Sequence, residues 1–233
     1  MGLMDDINAK ISDPYKDAKI SILLSCKYGD ELLGLCDNLL SSSKDVSDVE
    51  FLVKIDNYEE AKKCQEILEH KPFQYKILIY PSFYGRMSNH IAFNNLYNIS
   101  SGKLIWFVAG DCRIVKGDWY KTFSKFLDEN VYKDRIFNIA VPMDNGKGYK
   151  QICGINVVTR EWCDFFNGIS PLPNADRWLS KLSREIGRCF NIEESELLSH
   201  YPKGRRTLSK QQRKDLFKPS LKKAVRKFRE KCE

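Results

Sequence analysis

Between residues 20 and 109, short apolar runs of strand length alternate with segments whose apolar residues recur every three or four positions. Ile20–Leu24 is rich in branched residues and reads as a buried strand. Asp30–Leu40 then sets Leu32, Leu33, Leu35, Leu39 and Leu40 on one broad helical face. Val49–Ile55 is a second strand, closed by Asp56 and Asn57, and Ala61, Cys64, Ile67 and Leu68 follow at helical spacing. Tyr75–Tyr80 is a third strand stopped by Pro81, Ser88–Asn98 a helix, and Leu104–Ala109 a fourth strand. Such alternation predicts an α/β fold with a mostly parallel sheet, helices on both faces and right-handed crossovers.

Beyond Ala109 the pattern is less regular. It predicts a helix over Trp119–Leu127, strands over Ile136–Pro142 and Cys153–Val158, and a loop at Asp144–Gly148. Arg160–Phe166 reads as a short helix, and Ser170–Asn174 as a loop handing over to a helix from Ala175 to Ile186. Nothing marks a boundary before residue 202, and 233 residues suffice for one substantial domain. The expected organisation is a polar leader at 1–18, a single domain at 19–202 and a basic segment at 203–233.

Charge separates that last segment from the rest. The chain carries a net +7, yet residues 203–233 alone carry +10 and residues 1–202 carry −3. No apolar run reaches the ~20 residues that cross a bilayer, and Met1–Lys19 lacks an apolar signal core, so a cytoplasmic location is expected. The eight cysteines are scattered without a CxxC pair and read as reduced thiols, several in apolar segments.

Ligands in open α/β sheets bind beyond the carboxyl ends of the strands. Those ends are Ser25-Cys26-Lys27, Asp56, the stretch from Pro81 to Arg86, and Ala109-Gly110-Asp111. Two acids and two cations among glycine-bearing turns suit a phosphorylated ligand held with a metal. The competing reading is conformational, because turns favour Asp, Gly and Ser for backbone reasons alone.

Five segments, in order, break that tie. They are Ile20-Ser-Ile-Leu-Leu-Ser-Cys-Lys-Tyr-Gly-Asp-Glu-Leu-Leu, Val49 to Asp56, and Tyr84-Gly-Arg-Met-Ser-Asn-His followed by Ser101-Gly-Lys-Leu-Ile-Trp-Phe-Val-Ala-Gly-Asp111. Gly154-Ile-Asn-Val-Val-Thr-Arg-Glu-Trp with Ala175-Asp176-Arg-Trp-Leu follows, and Ser199-His200-Tyr-Pro closes the series. From about residue 19 to 210 the chain resembles family-2-type glycosyltransferases of GT-A fold, in particular a bacterial and viral group. The resemblance implies a GT-A-like nucleotide-diphospho-sugar transferase fold and transfer of a sugar to an acceptor hydroxyl. It implies donor contacts from Ser25, Cys26, Lys27, Asp56, Arg86, Asp111, Lys203 and Arg205, with Arg206 beside them. It further implies a Mn²⁺ or Mg²⁺ ion on Asp111 and His200, and Asp176 as general base. A single base with direct displacement implies inversion at the anomeric carbon. The departures are that the first acid of the DxD-type pattern falls at Ala109, and that Ser25-Cys26-Lys27 replaces a Pro-Thr-Arg-like loop.

Without the resemblance, Asp176 reads as an acid stabilising a helix N-terminus, and His200 as a surface histidine at a strand end. Two other functions compete: a nucleotidyltransferase, which would want a Gly- and Arg/Lys-rich signature absent from Ser25–Asp30, and a non-catalytic sugar-nucleotide binder, motivated by Ala109. The expected partners are a nucleotide-diphosphate sugar and a glycan or lipid-linked acceptor. In Ser220–Lys231, entered through Pro219, Leu221, Ala224, Val225 and Phe228 share one helical face among basic residues. Such a helix either lies on an anionic membrane as a peripheral contact or packs its apolar face on the domain. Few aromatics and an acidic body exclude nucleic acid as a partner.

Overall fold

The computed structural model describes residues 18–81, 89–128, 132–144, 151–193, 195–200 and 210–232. In chain order the elements are β1 (Ile20–Ser25), α1 (Gly29–Ser42), β2 (Val49–Ile55), α2 (Tyr58–Glu69), β3 (Gln74–Ile79), α3 (Asn89–Asn98), β4 (Leu104–Val108), β5 (Arg113–Lys116) and α4 (Trp119–Asp128). There follow β6 (Asn138–Asp144), β7 (Gln151–Thr159), α5 (Arg160–Phe166), α6 (Ala175–Glu185), β8 (Cys189–Asn191), β9 (Leu198–His200) and α7 (Lys210–Cys232).

Along β1, Ile20, Ile22 and Leu24 belong to one apolar cluster and Leu23 to the other, as a strand buried on both faces requires. The first cluster joins the sheet to α1, α2 and α4, and the second joins it to α3, α5, α6 and α7. β3, β2, β1 and β4 run side by side and parallel. β7 then pairs antiparallel with β4, and β6 antiparallel with β7. On its other edge β6 pairs first with β8 and then with β9, and β9 carries β5 at the margin. The alternating sheet expected from the first 109 residues is present.

Local chemistry explains the boundaries. Asn57 caps α2 by accepting from the Glu60 N–H at 3.0 Å. Trp119 and Phe123 of α4 pack on Trp106 of β4, with ring centroids 5.3 and 5.2 Å away. Strand β6 passes through Pro142, where the β6/β7 register shifts between Val141 and Met143, so the missing N–H falls at the irregularity. Asn38 of α1 bridges β5, its Oδ1 accepting from the Ile114 N–H at 2.6 Å and its Nδ2 donating to the Ile114 carbonyl at 3.0 Å.

The C-terminal helix departs from expectation. It begins at Lys210 rather than at Pro219, and Pro219 lies inside it. An interior proline costs a helix about 3 kcal/mol, offset here because Phe217, Leu221, Ala224, Val225 and Phe228 are buried with α6. The Trp178 indole N–H donates to Ser220 Oγ at 3.1 Å, and Lys227 donates to the Phe165 carbonyl. The apolar stripe is therefore packed on the domain and is not available for insertion into a bilayer. Lys218, Lys222, Lys223, Arg226, Arg229 and Lys231 remain exposed on the outer face. Among the described residues no helix is long and apolar enough to cross a membrane.

At the amino end of the parallel strands, Glu50 of β2 is fully buried. Its carboxylate accepts from the Ser21 hydroxyl, the Ser101 N–H and, at 3.1 Å, the Gly102 N–H, with Lys76 Nζ 3.8 Å away. This ties β1, β2 and the turn into β4 together. Glu50→Ala would strand these buried donors. We expect a loss of about 3–5 kcal/mol in urea unfolding, and a loss below 1 kcal/mol would show that the carboxylate is not the tie.

Candidate active site at the carboxyl edge of the parallel strands

Because β1, β2 and β4 are parallel and in register, Ser25, Asp56 and Asp111 emerge at one edge of the sheet. The remaining strands bring further residues there. Trp106 of β4 pairs with Val157 of the antiparallel β7, so Asn156 stands level with Phe107, one step nearer that edge. β6 runs antiparallel to β7 and ends at the same edge, where Asp144 pairs with His200 of β9. His200 pairs in turn with Arg113, two residues after Asp111.

Lys54 is completely buried, and its ammonium pairs with Asp56, whose side chain keeps 27% of its surface. The Lys54 Nζ also lies 4.8 Å from the centroid of the Tyr80 ring, and Asn95 donates to the Tyr80 hydroxyl at 3.3 Å. A buried cation thus fixes the carboxylate at the end of β2. Ser25 is half-buried, and Lys27 is exposed with its ammonium 5.0 Å from the Tyr28 ring centroid. Cys26 sits differently from the expected donor contact. It is buried, and its contact with the Cys64 thiol, together with burial, holds it well above the usual thiol range. Its side chain faces the core.

The end of β4 is a tight turn in which the Cys112 N–H donates to the Ala109 carbonyl at 3.0 Å. Arg113 holds that turn by donating to the carbonyls of Gly110 at 2.7 Å and Cys112 at 2.6 Å. Asp111 is exposed at its tip. Gly110 is buried, and a Cβ there would fall 2.8 Å from Glu31 Cβ and 3.0 Å from Glu31 Oε2, so the first turn of α1 presses against this turn. Among the described residues no three His, Cys, Asp or Glu side chains converge as a ready metal cage.

Asp176 is held at the start of α6 from below. The Asn156 amide donates to the Asp176 carbonyl at 3.2 Å and Ser180 Oγ donates to the same carbonyl at 2.8 Å. Asn156 Oδ1 accepts from the Asn138 amide at 2.8 Å and lies 3.1 Å from Ser180 Oγ, whose single proton it shares with the Asp176 carbonyl, and Asn138 also donates to Ser183 Oγ at 3.1 Å. This network is buried between the sheet and α6. Asn94 of α3 fixes the approach by accepting from the Ile169 N–H at 2.8 Å and donating to the Ser170 carbonyl at 2.9 Å. The residue Asp176 is only half-buried overall, but its carboxyl is crowded enough that burial raises its pKa, against the lowering pull of the Arg177 N–H and charge.

Arg86, Lys203, Arg205 and Arg206, and the loop residues 145–148, lie outside the described residues. The backbone of His200 is at the site edge. Lys54, Tyr80, Asn94 and Asn156 were not singled out from the sequence. Lys54 left a trace, as a cation in an otherwise apolar strand, and so did Asn156, as an amide among the apolar residues of β7.

The raised pKa has a consequence for stability. Unfolded, Asp176 ionises near the ordinary value of about 3.9, and folded it ionises higher. Below the unfolded value both states hold the proton; as pH rises from the unfolded value to the folded one, the unfolded chain gives up its proton while the buried native carboxyl keeps its own, and stability is lost across that window. Asp176→Asn removes that loss. Its melting temperature should gain on the parent chain between about pH 4 and pH 7, and a variant that falls behind over this range would mean that helix-end stabilisation prevails.

No family model and no curated protein matches this chain. Solved structures do. A mannosyltransferase, PcManGT of Pyrobaculum calidifontis in complex with GDP-Man and Mn²⁺, superposes with a TM-score of 0.63 at 10% identity, over 84% of this chain and 60% of that one. S. aureus TarS 1–349 gives 0.59 at 12% identity, over 79% and 60%. The same protein in complex with UDP-GlcNAc gives 0.55 at 15% identity, over 81% and 59%. The chain therefore has a GT-A-type fold, as the sequence resemblance implied, and spans about 60% of the length of these structures.

Proposed function

We propose that this GT-A-fold chain is a glycosyltransferase that moves a sugar from a nucleotide-diphosphate sugar to an acceptor hydroxyl, with inversion and with a divalent cation. One observation carries the reading: in this fold the strand register gathers Asp56, Asp111, His200 and the buried start of α6 bearing Asp176 at a single edge. The donors bound in the structural neighbours, GDP-Man and UDP-GlcNAc, support the donor class.

The residues fit a hard cation. Asp111 offers an exposed carboxylate, and His200 pairs with Arg113, two residues further along, so two residue types that bind such ions stand at one edge, with phosphate oxygens to complete the shell. When bound, Mn²⁺ or Mg²⁺ would neutralise charge developing on the departing diphosphate. The chain's own residues do the rest. Asp56, fixed by Lys54, contacts the nucleoside, and Ser25 and Lys27 flank the phosphates, joined by Arg86, Lys203 and Arg205. Asp176 takes the proton of the acceptor hydroxyl as that oxygen bonds to the anomeric carbon, and the bond from that carbon to the diphosphate oxygen breaks on the opposite face. A raised pKa makes Asp176 a stronger base than a solvent-exposed carboxylate. The acceptor is a glycan or a lipid-linked sugar on the cytoplasmic side, and the exposed basic face of α7 suits an anionic bilayer nearby.

The test is a thermal-shift panel of UDP-, GDP-, CMP- and TDP-sugars with and without Mn²⁺. A donor at 100 times its Kd should stabilise by about 2.7 kcal/mol. Asp111→Asn should remove the Mn²⁺-dependent part of that shift, and Asp176→Asn should slow transfer by about 10²–10⁴-fold with donor affinity unchanged. Binding without transfer by the parent chain would favour a non-catalytic sugar-nucleotide binder, the reading that Ala109 motivates. A panel with no shift would overturn the proposal.

A further inference from the structure

We infer that Glu31 of α1 supplies the second carboxylate of the cation site, in the place of the acid that the turn after β4 lacks at Ala109. The inference rests on the metal-dependent reading above.

The geometry comes from two elements. Glu31 lies in the first turn of α1, which begins at Gly29, immediately beyond the end of β1. Its side chain crosses to the end of β4 and occupies the space that a side chain at residue 110 would fill, since a Cβ on Gly110 would meet Glu31 Cβ at 2.8 Å and Oε2 at 3.0 Å. The Glu31 carboxylate is thus set against the residue that directly precedes Asp111. Its charge also reaches the Cys26 thiol, which it pushes up, so Glu31 stands between the ends of β1 and β4. Glu31 and Asp111 are both exposed.

A hard divalent ion held by a protein together with a substrate diphosphate asks for one or two carboxylates and leaves the other positions to phosphate oxygens and water. In a DxD-type turn both acids come from one loop. Here the turn offers Asp111 alone, and the glycine between Ala109 and Asp111 admits a carboxylate from the facing helix. A helix-end acid that served only the helix dipole would need no clearance at residue 110. A methyl group at residue 110 would fall 2.8 Å from Glu31 Cβ, which moves only with the backbone of α1, so Gly110→Ala would push the first turn of α1, and Glu31 with it, away from the end of β4.

The experiment measures Mn²⁺ uptake directly, by the loss of the free Mn²⁺ paramagnetic resonance signal, on the full chain with UDP and with GDP as probes. Glu31→Gln should weaken Mn²⁺ binding in the presence of nucleotide by at least about 10-fold, since even residues that only support metal ligands change affinity by 10- to 100-fold. Gly110→Ala should weaken it in the same direction. Ala109→Asp introduced into Glu31→Gln should recover most of the loss, which a purely structural role for Glu31 would not allow. Melting curves of the three variants confirm that they are folded. If Glu31→Gln takes up Mn²⁺ as the parent chain does, the inference fails while the proposed function stands. If the parent chain itself takes up no Mn²⁺ with either nucleotide, the metal-dependent reading fails and this inference with it.

Discussion

Strand β1 is hemmed between β2 and β4 in parallel register, and both of its faces are covered. Everything at the candidate site follows from that constraint. From β1 the chain steps through α1 to β2 and through α2 to β3, moving outward on one side. It then returns through α3 to place β4 on the other side of β1. A right-handed crossover that reverses direction must put its helix on the opposite face, and α3 indeed packs in the second apolar cluster while α1 and α2 pack in the first. The reversal makes the ends of β1 and β4 a topological switch point, the position beyond which open α/β sheets bind ligands. Glu31 and Gly110 meet at that point, with Asp111 exposed beside them, whereas the Cys26 thiol turns to the core.

The four parallel strands were legible because burial on both faces demands continuous apolar runs, and helices of ordinary length separate them. β5, β8 and β9, of three or four residues each, were not legible as a sheet margin. Strands so short have no period to detect, and their pairing depends on β6, far away in sequence. Pro142 suggested a strand end and instead marks a register shift within β6. Pro219 suggested a helix start, but burial of Phe217 and Leu221 on either side carries the helix through it. At the site, Asp56 and Asp111 could be placed from strand ends alone, since a parallel sheet leaves them nowhere else to go. The direction of a side chain could not, which is why Cys26 read as a ligand contact although its thiol faces Cys64. The partner of Asp176 was hidden, because the hydrogen bond from Asn156 joins residues 20 positions apart, whereas Lys54, two residues before Asp56, showed only as a cation in an apolar strand.

The buried polar groups are unevenly distributed. Glu50 sits at the amino edge of the sheet, where it closes the turn into β4. Lys54 and the Asn138, Asn156, Ser180 and Ser183 network belong to the carboxyl half or to the seam between sheet and α6. Each needs its partners to offset desolvation, and apolar packing would have served stability as well or better. What such groups provide is a defined position. An amide that must satisfy both the Asp176 carbonyl and a neighbouring amide fixes the helix start along two directions at once.

That fixing is completed from the far side of α6. Trp178, two residues after Asp176, donates to Ser220 of α7, and the same helix buries Phe217 and Phe228 among the residues of α6. The basic C-terminal segment, which by charge looked separable from an acidic body, is therefore one wall of the support for Asp176. Two independent anchors, Asn156 on the sheet side and Ser220 on the α7 side, meet within three residues of α6. A disturbance of either should reach the carboxylate through a rigid helix rather than through a loop. The cations of the outer face of α7 are carried on the same support, so any anionic surface they engage would find the start of α6 held at a fixed orientation to it.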